Sequence, residues 1–194
     1  HGLEVGKPII SLIPGSRKQE IEKKLPVMLR AVSTYSKEFN IVIAGTNNFK
    51  DLYGKITSNS SAKVIYMDTY NLLNNSSRAL VTSGTATLET AFFNVPQIVC
   101  YKTSWFSYII AKSLVNIKYI SLVNLIMDKE IVKELIQNNL SVFKLTKELN
   151  ILNDDLALNK MKESYQLLIA KCQGENVSKN IATDMFKTIE SFQK

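Results

Sequence analysis

Short, almost unbroken apolar runs alternating with stretches of helical periodicity constrain this chain's fold more than any other feature. Residues 8–13 (PIISLI), 41–44 (IVIA), 64–67 (VIYM), 79–82 (ALVT) and 97–101 (QIVCY) are too short for helices and show no regular polar alternation. Such runs predict strands buried on both faces, as in a parallel sheet covered by helices. The segment after the turn at 14–17 predicts a helix with Leu25, Met28, Leu29, Val32 and Tyr35 on one face; Pro26 either kinks it or opens its second segment. Further helices are expected over 48–57, 70–77 and 85–93, then an apolar one near 104–115. A short extended piece near 119–122 follows. The C-terminal third reads as mostly helical and ends in a helix over 177–192, striped with Val177, Ile181, Met185, Ile189 and Phe192. This alternation implies βαβ units with right-handed crossovers. The expected fold class is α/β, a Rossmann-like parallel sheet with helices on both faces and a helical C-terminal segment. No repeat, low-complexity linker or break in composition divides residues 1–194, so a single domain is expected.

With 194 residues, 45% hydrophobic and 21% charged, the chain can bury one sizeable core. No apolar run reaches the ~18–20 residues needed to cross a bilayer. Residues 1–10 lack the apolar centre of a signal peptide, and a cytoplasmic protein is expected. Cys100 and Cys172 stand far apart without metal-ligand spacing and read as reduced thiols. A formal net charge of +7 suits an anionic ligand, an anionic membrane face or nucleic acid. The lysines are scattered singly and accompany no nucleic-acid-binding motif, so no nucleic-acid partner is expected. His1 is the only histidine and reads as a residue added ahead of the natural sequence. Setting it aside leaves no imidazole for acid–base work or a metal site. A general base would then be a carboxylate or would lie outside this chain.

In an open parallel sheet, ligands sit beyond the carboxyl ends of the strands. Two polar segments fall at such ends. After the first strand comes Gly15-Ser16-Arg17, where glycine permits close backbone approach and arginine offers a rigid fork of donors for phosphate oxygens. An ordinary Pro-Gly turn with a solvated arginine would look the same. After the fourth comes TSGTATLE (82–89), in which a strand passes to a helix through small residues. Ser83, Gly84, Thr85 and Ala86 there leave N–H groups and the positive end of a helix dipole open to a diphosphate. Glu89 lies one turn in, where a carboxylate can accept hydrogen bonds from a sugar diol. The competing reading makes Ser83 or Thr85 an N-cap and Glu89 a charge that complements the dipole; the three-residue offset of a capping box is not met.

Neither a G-x-x-x-x-G-K-[ST] loop nor G-x-G-x-x-G occurs, which argues against an ATPase or a standard dinucleotide enzyme. Asp-x-Asp is also absent, which argues against the metal-assisted class of nucleotide-sugar enzymes. A helix terminus together with Arg17 could replace a metal in stabilising a departing diphosphate. No metal and no cofactor is expected.

Taken in order, these residues resemble the C-terminal half of the lipid-A-disaccharide synthase family. The matching stretches are Leu12-Ile13-Pro14-Gly15-Ser16-Arg17 with Glu20 and Leu25-Pro26; Ser83-Gly84-Thr85-Ala86-Thr87-Leu88-Glu89; Tyr101-Lys102; Tyr119-Ile120-Ser121-Leu122-Val123-Asn124-Leu125; and Glu134-Leu135-Ile136-Gln137. They span about residues 8–137, with a looser likeness beyond. The resemblance implies one half of an inverting, metal-independent glycosyltransferase with two Rossmann domains (the GT-B class). That family joins UDP-2,3-diacylglucosamine to 2,3-diacylglucosamine 1-phosphate and releases UDP. On that basis Gly15, Ser16 and Arg17 would meet the diphosphate, Ser83 to Ala86 would cradle it, and Glu89 would hold the ribose diol. Backbone near Met67 and Asp68 would read the uracil edge. Asn124 and Gln137 would face the donor or the interdomain cleft; a plain loop residue and a helix-surface residue are the competing readings.

The family usually has Pro where Val123 stands, which leaves that loop's conformation open. Its N-terminal domain, with the acceptor site and the catalytic base, is expected to be missing from these residues, so no catalytic residue is assigned. The resemblance also implies peripheral contact with the cytoplasmic face of the inner membrane. Trp105, Phe106 and Tyr108, near Lys102 and Lys112, could touch headgroups, or their helix could be buried in the core. Two alternatives remain at this stage: a UDP-N-acetylglucosamine 2-epimerase type of enzyme domain, and a stand-alone non-catalytic nucleotide-binding module.

Overall fold

The structure, a computed structural model, describes residues 2–103 and 118–173; the helices expected near 104–115 and over 177–192 lie outside the described residues. Strands β1 (Ile9–Ile13), β2 (Asn40–Gly45), β3 (Lys63–Tyr66), β4 (Ser76–Thr82), β5 (Gln97–Tyr101) and β6 (Lys133–Ile136) form a sheet in the order β3-β2-β1-β4-β5-β6. Every pairing in it is parallel. The helices are α1 (Lys18–Val32), α2 (Lys50–Thr57), α3 (Thr69–Asn74), α4 (Thr85–Phe92), α5 (Leu122–Met127), α6 (Val142–Ile151) and α7 (Asp155–Cys172).

Successive strand residues point to opposite faces, and both faces are covered. Ile10 and Leu12 of β1 pack with Ile21, Leu25 and Met28 of α1 and with Leu145 and Leu149 of α6. Ile13, with Val42 of β2 and Val81 of β4, meets Leu72 and Leu73 of α3. Farther along that face, Val99 of β5 packs with Ala91, Val123, Tyr165 and Leu168 from α4, α5 and α7. Burial on both sides is why these strands read as unbroken apolar runs.

The departures from expectation have local causes. α1 runs through Pro26 as one helix; Glu22, whose carbonyl loses its intrahelical donor to the proline, is exposed and can turn that group to water. β4 begins at Ser76, ahead of its apolar run, because the Ser76 hydroxyl donates to Leu72 O at 2.6 Å and pairs with Ser11 Oγ, so a polar residue is satisfied inside the sheet. The piece near 119–122 is not a strand: Ser121 Oγ accepts from Asn124 N at 3.3 Å and caps α5. β6 is a sixth strand inside a third of the chain that reads as helical. It is a four-residue edge strand with an exposed Lys133, and charge on an edge hides the strand pattern while discouraging further pairing. In this strand order the chain reverses its direction of travel between β1 and β4, which fixes where a crevice opens.

Candidate functional site

The loops leaving β1 and β4 part in opposite directions, and the crevice of about 440 Å³ between them is lined by Gly15, Ser16, Arg17, Ser83, Gly84, Thr85, Ala86 and Glu89. Two segments separated by some seventy positions in the sequence thus meet, as the motif reading expects. Glu20, which the resemblance includes without a role, also lines it, as do Thr46 and Thr69, which were not singled out.

The two loops are built differently. In the first, Gly15 has φ 111°, and a Cβ there would lie 2.2 Å from Glu20 Oε2. That oxygen accepts from Ser16 N at 3.2 Å and Arg17 N at 3.4 Å, so the chain's own carboxylate serves the N–H groups that open α1. Arg17 is exposed, and its guanidinium forms no ion pair among the described residues. In the second loop Gly84 is the N-cap of α4 with φ 126°, a backbone region that side-chain-bearing residues avoid. No side chain caps this helix among the described residues. Thr87 N donates to Gly84 O at 3.1 Å, which leaves the N–H groups of Thr85 and Ala86, at the positive end of the dipole, without a partner among the described residues and open to a ligand. Neither Ser83 nor Thr85 acts as the cap; the Ser83 hydroxyl donates to Ile120 O at 2.7 Å and ties down the neighbouring loop. Glu89 is half-buried, and its carboxylate has no hydrogen-bond or ion-pair partner among the described residues.

Met67 and Asp68 stand at the carboxyl end of β3, beside the crevice lining rather than in it. Met67 has φ 58° and is 77% exposed. Asp68 precedes α3, accepts from Asn71 Nδ2 at 2.6 Å, and lines a separate recess with Leu3 and Ile9.

The geometry corrects the expectation for Asn124, which is fully buried. Its Nδ2 donates to Val132 O and Glu134 Oε1, both at 2.8 Å, and its Oδ1 accepts from Ile131 N at 2.7 Å and Val132 N at 3.0 Å. An amide with every valence used inside the chain cannot face a donor sugar in this conformation. The Glu134 carboxylate is the hub of this scaffold, also accepting from Ile120 N and Ser121 N at 2.9 Å. Gln137 is likewise absent from the crevice lining and opens a short 3-10 helix, Gln137–Asn139. It follows β6 with φ 51°, and its Oε1 accepts from Thr103 N at 2.9 Å, fixing the exit of β5.

Arg17, Glu20 and Ser83 also border an adjoining cleft of about 580 Å³, whose other walls include Lys18, Lys23, Lys24 and Lys102. Lys24 was missed by sequence reasoning. It is 1% exposed, donates to Thr82 Oγ1, and lies 3.9 Å from Glu20 Oε1. The available signal was its spacing, since it shares a helical stripe with Ile21, Leu25 and Met28. Among the described residues, no group of three or more His, Cys, Asp or Glu side chains could hold a metal ion.

A family model described as Lipid-A-disaccharide synthetase matches residues 1–186. The chain belongs to the lipid-A-disaccharide synthase family. The lipid-A-disaccharide synthase of Persephonella marina is 31% identical, over 97% of this chain and 52% of its own length. That of Psychromonas ingrahamii is 34% identical, over 73% of this chain and 39% of its own. The chain thus spans about half the length of such relatives or less. Among solved structures, S. aureus TarM, in a complex that includes UDP, aligns with a TM-score of 0.59 at 14% identity, over 94% of this chain and 37% of its own. The spinosyn rhamnosyltransferase SpnG, complexed with thymidine diphosphate, gives 0.58 at 13%, over 87% and 43%. At such identities the likeness shows the fold, that of one Rossmann-like half of a GT-B glycosyltransferase. Where this family usually has Pro, Val123 sits in the first turn of α5, a position whose N–H has no intrahelical partner. Pro and Val both fit such a backbone, and Val123 adds a fully buried side chain to the core.

Proposed function

We propose that this chain is the UDP-sugar-binding half of a glycosyltransferase that joins UDP-2,3-diacylglucosamine to 2,3-diacylglucosamine 1-phosphate, with inversion and without a metal. The observation that carries this reading is one crevice holding a helix N-terminus, an arginine and a carboxylate that are uncapped and unpaired among the described residues. The α4 N–H groups and Arg17 would bind the diphosphate, and the same groups would stabilise the charge that develops on UDP as it departs. Glu89 would accept from the ribose hydroxyls, and backbone near Met67 and Asp68 would meet the uracil. Acceptor binding and the general base are assigned to a partner domain. Because both substrates are lipid-linked, the work is proposed to take place peripherally at the cytoplasmic face of the inner membrane. No helix among the described residues is long and apolar enough to cross a membrane.

Calorimetry with UDP and uridine tests the reading. UDP should bind more tightly than uridine, and Arg17→Ala should weaken UDP about ten- to a hundredfold while sparing uridine, because a charge-assisted hydrogen bond is worth roughly 1.5–3 kcal/mol. Equal losses for both ligands would remove Arg17 from the site; failure of the wild-type chain to bind UDP would end the reading.

A further inference from the structure

A helix that covers a hydrophobic sheet has no ordinary place for lysine on its inner face. In α1, Ile21, Lys24, Leu25 and Met28 follow the i, i+3, i+4, i+7 pattern, and all four are buried. A buried ammonium is costly unless paired, so its partners identify its work. Lys24 Nζ donates to Thr82 Oγ1, on the last residue of β4, and lies 3.9 Å from Glu20 Oε1. Burial holds the Lys24 pKa below its ordinary value, and the Glu20 charge opposes that shift. The nearby Cys100 thiol supplies no counter-charge, because burial pushes its pKa up to about 12. Glu20 spends its other oxygen on the N–H groups of Ser16 and Arg17 and fills the space beside Gly15. One polar chain therefore runs from the end of β4 through Lys24 and Glu20 to the turn after β1. It joins the two strand ends whose loops make the crevice.

Building on the UDP reading above, we propose that Lys24 is a positioning residue for the diphosphate. It pins Glu20 so that the Gly15–Arg17 turn is already formed before a ligand arrives, and it balances the carboxylate's charge beside the phosphate oxygens. The N–H groups of Ser16 and Arg17 are committed to Glu20, so the diphosphate is met by the Arg17 guanidinium and the N-terminus of α4. Glu20 and Arg17 border both the crevice and the adjoining cleft. Without Lys24, an unbalanced carboxylate would stand next to the ligand and repel it, and the turn would lose its anchor.

The test compares the wild-type chain with Lys24→Met, Lys24→Arg and the double variant Lys24→Met with Glu20→Gln. Calorimetry reads UDP and uridine affinity, and NMR reads hydrogen exchange at the Ser16 and Arg17 amides in the ligand-free chain. Lys24→Met should weaken UDP about tenfold, the scale of one charge-assisted contact, and leave uridine unchanged. Its two amides should exchange faster than in the wild type. Lys24→Arg should keep most of the affinity. The double variant should regain UDP binding lost in Lys24→Met, because the unbalanced charge is gone. Where Lys24→Met does not fold, Lys24→Gln, which keeps a polar partner for Thr82 and loses the charge, carries the same expectations. A folded, uncharged variant with wild-type UDP affinity and wild-type amide protection overturns the proposal, whatever its melting point. Failure of the wild-type chain to bind UDP would instead sink the functional reading, while the exchange data still decide whether Lys24 holds the turn.

Discussion

Glu89 is the residue at which a change of a single atom separates ligand recognition from structure. Its carboxylate is half-buried in the crevice with no partner among the described residues, so little in the fold depends on its charge. If it accepts hydrogen bonds from both ribose hydroxyls, Glu89→Gln keeps the shape but removes the charge and replaces one acceptor with a donor. At roughly 1.5–3 kcal/mol per charge-assisted bond, UDP should bind at least about tenfold more weakly. The wild type should prefer UDP over 2′-deoxy-UDP, and the variant should lose that preference. A sharp fall in melting temperature with both nucleotides bound as before would make Glu89 a structural charge on the helix dipole. At this scale the sequence was legible where chemistry and position coincide: Gly15, Arg17, Gly84 and Glu89 line the crevice that their motifs implied. Lys24 was legible only through its spacing beside Ile21, Leu25 and Met28, a weak signal because a lone lysine in a helix ordinarily lies on a solvated face; its partner Thr82 is set by the fold.

Among the elements, β1 to β5 were readable because central parallel strands must be apolar on both faces. β6, an edge strand reading KELI, carries charges that the centre of a sheet would reject, so its sequence resembles the helices around it. Missing β6 also misplaced Asn124 and Gln137, whose roles exist only relative to it. Asn124 links α5 to β6 and the residues leading into it by four hydrogen bonds. Asn124→Ala strands Val132 N and Val132 O and takes one donor from the Glu134 carboxylate, while Ile131 N keeps Lys129 O at 3.0 Å. Each buried group left unmatched costs about 1–3 kcal/mol. Thermal or urea unfolding should show a clear loss of stability, while UDP affinity measured well below the melting point should match the wild type. If instead affinity falls and stability holds, Asn124 reaches the ligand and the buried conformation is not the one that binds.

For the whole molecule, the relevant facts are a polar crevice formed within the chain and a length about half that of its relatives. In a fold with two Rossmann halves, one half can bind the leaving nucleotide, but transfer also requires an acceptor held in line and a base to take its proton. The chain by itself should therefore bind UDP without catalysing transfer. Binding confined to the folded state stabilises it by RT ln(1 + [L]/Kd), about 2.7 kcal/mol at a hundredfold excess over Kd. For a domain of this size, each kcal/mol moves the melting temperature by about 2–4 °C, so saturating UDP should raise it by roughly 5–11 °C. Uridine at the same concentration should give a smaller shift, because the diphosphate contributes the charge-assisted contacts. A radiolabelled donor incubated with the chain and acceptor should yield no disaccharide until a complementary N-terminal domain is supplied. Transfer by the chain alone would place acceptor site and base within these residues and overturn the division of labour. An unchanged melting temperature at saturating UDP would show that the crevice does not select the nucleotide at all.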